Sequence, residues 1–102
     1  MSDELVLKEP AGTISVPAAT LDRIVATAAE RVDGARMRRR RGVEVALAGG
    51  TASVSLQLAA RYGVVLPQLA EAVQERVREA LETMFGLEVA RVDVAVEELV
   101  ER

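Results

Sequence analysis

The chain reads as an α+β two-layer sandwich in β-α-β-β-α-β order, with two helices packed on one face of a small, mostly antiparallel sheet. Three observations predict this. Two segments repeat apolar residues every three or four positions, three others repeat them every second position, and glycine or proline stands at the joins. One-sided helices and one-sided strands bury both apolar surfaces by stacking, which gives the split βαβ arrangement.

Taken in order, residues 1 to 11 read as a flexible N-terminal arm ending near Pro10, with no periodicity beyond Leu5–Val6–Leu7. "GTISV" from Gly12 is a short strand that runs into Pro17, a residue suited to a first helical turn. Leu21, Ile24, Val25, Ala28 and Val32 then form one apolar stripe, and Gly34 supplies the stop. From Val43 the period becomes two. Val43, Val45 and Leu47, the Gly49–Gly50 turn, and Val54, Leu56 and Leu58 make a hairpin with one wet face. Tyr62 and Gly63 end its second arm, and Tyr62 is expected to cap the core there. Pro67 opens a second helix, with Leu69, Val73, Val77, Ala80, Leu81 and Met84 on one side. Gly86 closes that helix, and Leu87 is placed to pack back on Leu81. Val92, Val94 and Val96 give a last strand. The organisation is a single domain over 12 to 98, followed by a charged tail at 99 to 102.

Those landmarks, in that order, resemble a family. The pieces are "GTISV", "VDGA" after the first helix, "YG" before Pro67, "AVQERV" in the second helix, Met84, Gly86, Leu87 and Val89, and "VDVAV" from Val92. The likeness, from Gly12 to about Glu98, is to the bacterial alkaline shock proteins and related general stress proteins of the cell envelope. It implies a non-enzymatic role in the envelope stress response or envelope homeostasis, as a protein-interaction module. It further implies a cytoplasmic location, peripheral to the membrane through an anchored or envelope-associated partner protein. The family brings no catalytic residues. Here Ala35 follows Gly34 where the family has valine, and the tract "RMRRRRG" has no counterpart in the pattern.

Composition narrows the chemistry independently. The chain has no cysteine and no histidine. Disulfides, thiolate nucleophiles, histidine-based triads and the preferred zinc ligands are therefore all excluded. No cofactor, metal, catalytic residue or small-molecule substrate is expected. "AGGT" lacks the spacing of a phosphate loop and reads as a turn. The N-terminal acids are not those of a secretory leader, and no window approaches the ~20 apolar residues of a membrane span. With 50% hydrophobic but only 2% aromatic residues, the core is built from Val, Leu, Ala and Ile.

Charge supplies the remaining signal. Residues 1 to 66 hold nine basic and seven acidic side chains, and 67 to 102 hold four and nine. That asymmetry reads as ordinary surface variation, with head-to-tail self-association into homo-oligomers or a polarised surface as the alternative. The sharpest local feature is Arg36, Arg38, Arg39, Arg40 and Arg41, between first helix and hairpin, where like charges require solvent or an anion. The readings open for it are a solvated loop, an anionic membrane surface or acidic partner, and, as the alternative function, a nucleic-acid-binding domain using the Arg38–Arg41 loop.

Overall fold

The computed structural model describes residues 2 to 37 and 42 to 101. Its elements are β1 (Leu5–Glu9), β2 (Gly12–Val16), α1 (Ala18–Glu30), β3 (Ala35–Arg36), β4 (Val43–Ala48), β5 (Thr51–Arg61), α2 (Leu66–Phe85) and β6 (Glu88–Val100). The α+β class and the mostly antiparallel sheet stand as the sequence predicts. β5 is the central strand: β3 and β4 pair with it antiparallel, and β6 pairs with it in parallel along its whole length. A parallel neighbour needs a crossover, and α2 is that crossover.

The alternation in β5 decides the layering. Ala52, Val54, Leu56, Leu58 and Ala60 are buried, while Ser55 and Gln57 face water. Over the buried side lie Leu21, Val25, Ala28 and Ala29 of α1 and Leu69, Val73, Val77 and Leu81 of α2, all in one apolar cluster. Burying a Val or Leu fully is worth roughly 1.5–3 kcal/mol, so this interleaving of short aliphatic side chains holds the fold with no aromatic residue among the buried ones, Phe85 packing only at their edge. α2 begins one residue before Pro67 and ends at Gly86, whose backbone is left-handed (φ 67°) and donates to the Glu82 carbonyl at 2.9 Å. β6 is longer at both ends than the valine alternation indicates. Two of its carbonyls, those of Val89 and Val92, accept side-chain hydrogen bonds from Arg78 (2.7 Å) and Gln74 (3.1 Å) of α2.

The N-terminal segment differs from the expectation of an arm without regular structure. Leu5–Glu9 is a strand, paired antiparallel with β2 from Leu5↔Val16 to Glu9↔Gly12. Five residues with only a short apolar run carry too little periodicity to reveal a strand whose partner is itself short. The residues before it run along the outer edge of β4. The Asp3 amide donates to the Val45 carbonyl (3.0 Å), the Val45 amide donates to Ser2 Oγ (2.9 Å), and the Leu47 amide donates to Asp3 Oδ2 (2.8 Å). Ser2 Oγ in turn donates to Asp22 Oδ1 of α1. An open strand edge invites pairing with other chains, and these bonds close this one.

Two joins position the arginine tract. α1 ends at Glu30, and a tight turn leads to Gly34, at φ 94°, where a Cβ would stand 3.0 Å from Val64 Cγ1. The Arg61 amide donates to the Gly34 carbonyl at 2.7 Å, tying this turn to the end of β5. β3 and β4 then share one edge of β5. On β5 only Gln57 and Leu58 separate the two ladders, whereas residues 37 to 42 separate them along the chain.

Candidate functional site

Of the five arginines singled out by sequence, Arg36 lies on β3, opposite Ala59, and is exposed. Arg38, Arg39, Arg40 and Arg41 lie outside the described residues. The two ends of the tract are held. Met37 is half-buried against the core, and its amide points to Glu30 Oε2 at 3.4 Å. Gly42 is buried, so close to β5 that a Cβ there would meet the Gln57 carbonyl oxygen at 2.6 Å and Met37 Cε at 3.2 Å.

Around Arg36 the surface is polar and mixed in sign. A shallow recess of about 250 Å³ is lined by Glu30, Asp33, Arg36 and Arg61 with the backbone of the turn between them. Arg61 engages Asp33 through both guanidinium nitrogens, Nη1 to Oδ1 at 3.1 Å and Nη2 to Oδ2 at 3.0 Å. These hydrogen bonds, and then the arginine's charge, hold the Asp33 carboxyl below its ordinary range, and Asp33 reciprocally raises Arg61. Both side chains are open to water, so the pair orients Arg61 more than it stabilises the fold.

A second surface went unmarked in the sequence. Between α1 and α2 runs a groove of about 450 Å³ whose apolar lining includes Ile24, Ala28, Ala80 and Met84. Arg23, Arg31 and Arg76 stand on it against a single acid, Glu79. Helical periodicity assigns Met84 to the core, yet its side chain is 58% exposed. The signal was present in the three arginines, but Arg23 and Arg31 belong to α1 and its cap and Arg76 to α2, and only packing brings them together.

Tyr62 also departs from expectation. It is 72% exposed and does not cap the core. Its backbone continues the β5–β6 ladder, the amide donating to the Val100 carbonyl. Val65 and Leu99 are exposed at the same end of the sheet.

Inside, every buried residue among those described is apolar, and no group of three or more His, Cys, Asp or Glu is placed to hold a metal. No described helix is long and apolar enough to cross a membrane. Fold and surfaces together define a small α+β two-layer domain whose titratable chemistry, as far as it is described, lies on its exterior. The chain belongs to the alkaline shock protein 23 family, which has a cell envelope-related function and whose model matches residues 26 to 101. The alkaline shock resemblance read from the sequence is thereby borne out, while the β1–β2 hairpin and the first turns of α1 lie outside the matched span. No curated protein and no solved structure matches the chain.

Proposed function

We propose that this protein is a non-enzymatic interaction module that serves envelope homeostasis under stress. It is held at the cytoplasmic side of the membrane by an envelope-associated partner protein and associates with further copies of itself. What carries this reading is the envelope-related family match over residues 26 to 101, on a domain whose described buried residues are all apolar. Acid–base or nucleophilic catalysis needs a positioned titratable group with a tuned environment. The one shifted pair among the described residues, Asp33 and Arg61, is a solvent-exposed ion pair.

In this reading Arg36 and Arg38–Arg41 are the contact to an acidic partner surface or to anionic headgroups beside it. Each basic side chain near an anionic membrane contributes about 1 kcal/mol, and that contribution falls with salt. The test is a titration of wild type and an Arg38–Arg41→Ser variant against phosphatidylserine-containing vesicles and labelled single-stranded RNA at two salt concentrations. Vesicle binding that weakens with salt and is lost in the variant supports the assignment. Equal binding by both proteins removes the tract from it, and RNA binding without vesicle binding transfers the tract to nucleic acid.

A further inference from the structure

We propose that the β1–β2 hairpin of one copy docks in the α1–α2 groove of the next. The proposal rests on the self-assembly part of the function above and names the two surfaces that perform it.

The first observation is that the hairpin projects from the sandwich. Of its strand residues only Leu5 and Val16, paired at the base, are buried, and Leu7 is half-buried beside them. A two-stranded ribbon alone is marginally stable in water, so the outer part of this one needs cover that the described residues of its own chain do not give. Directly paired residues share a face. Beyond the base, one face therefore presents Leu7 beside Ile14 and then Glu9 beside Gly12. Ile14 is 49% exposed. Lys8 falls on the opposite face, so the Leu7–Ile14 face ends in a carboxylate with no cation on that face of the ribbon.

The groove is the complement of this face. Its apolar lining can take a branched aliphatic side chain, and Arg23, Arg31 and Arg76 outnumber Glu79 around it. An apolar knob flanked by a carboxylate thus meets an apolar slot flanked by guanidinium groups, which give directional, bidentate contacts to carboxylates. Hairpin and groove are different surfaces of one chain, so the contact is head to tail. Such contacts propagate into rings or open filaments instead of stopping at a pair. The molecule is already elongated, at 49 × 21 × 18 Å.

Sedimentation velocity over a concentration series tests this with the full chain. Wild type is compared with Ile14→Asp, Met84→Asp and Glu9→Arg, all at exposed positions, with circular dichroism to verify the fold. The wild-type sedimentation coefficient is expected to rise with concentration. Ile14→Asp and Met84→Asp are each expected to lower the association constant by at least about tenfold, and Glu9→Arg to lower it in the same direction. A one-to-one mixture of Ile14→Asp and Met84→Asp is expected to form two-copy species and nothing larger, because only one productive contact remains. Undiminished association in either single variant, or a mixture that stays monomeric, overturns the hairpin-in-groove contact while leaving self-assembly standing. A wild type that remains a monomer at every concentration overturns both. An acidic partner segment as the groove's occupant would appear as that last result together with loss of cellular partner capture in Met84→Asp alone.

Discussion

Gly42→Ala probes the join that fixes the arginine tract to the sheet. A methyl group there would lie 2.6 Å from the Gln57 carbonyl oxygen and 3.2 Å from Met37 Cε. Ordinary carbon–oxygen contact begins at about 3.3 Å, so an overlap of roughly 0.7 Å must be relieved. The methionine can swing away, but the carbonyl cannot: Gln57 sits in β5, paired with Ala95 of β6. Relief therefore requires the end of β4 to lift from β5, and inserting a methyl into a closed site of this kind costs about 1–3 kcal/mol. For a domain of this size each kcal/mol lowers Tm by roughly 4–8 °C. Thermal unfolding followed by circular dichroism reads the shift directly. Repeating the substitution in a Met37→Ala background separates the two contacts, since most of the loss is expected to persist when the methionine is gone. A change in Tm smaller than about 2 °C, or complete rescue by Met37→Ala, would refute the backbone clash as the reason glycine stands here.

Other consequences follow from burial and charge. Leu81, fully buried on α2, is expected to cost about 2–5 kcal/mol on conversion to Ala in urea unfolding, with the slope unchanged. Tyr62→Ser is expected to stay within about 0.5 kcal/mol of wild type because the ring is 72% exposed, and a loss above about 2 kcal/mol would restore it to the core. Asp33 has its pKa lowered in the fold by Arg61. The stability it adds is present above the unfolded pKa and lost as pH falls through the folded one. Asp33→Asn should therefore lower Tm slightly at about pH 7, with the deficit shrinking as the pH falls through the carboxylate range, and a deficit that does not shrink contradicts the ion pair.

How much of this the sequence showed depends on the range of the signal. Period and punctuation are local, so α1, α2, the β4–β5 hairpin and the Gly86 stop could all be read from them. Ala35–Arg36 could not, because two residues carry no period and their strand character comes from Ala59 and Ala60 across the ladder. Leu5–Glu9 was missed for a related reason: its partner is a strand of five residues, and neither makes a face long enough to recognise. Surfaces were the hardest to read. Arg36 and the tract that follows stand out because they are contiguous, whereas Arg23, Arg31 and Arg76 are spread over more than half the chain and become one rim only when the helices pack. Tyr62 went astray because an aromatic residue at a join usually finds a neighbour, and here the sheet simply ends.

The most direct test of the central claim is affinity purification of the protein after crosslinking in intact cells. A docking module of the envelope should recover a membrane-anchored or envelope-associated protein, with that recovery reduced in the Arg38–Arg41→Ser variant. Recovery of ribosomal or metabolic proteins alone, identical for wild type and variant, would contradict it.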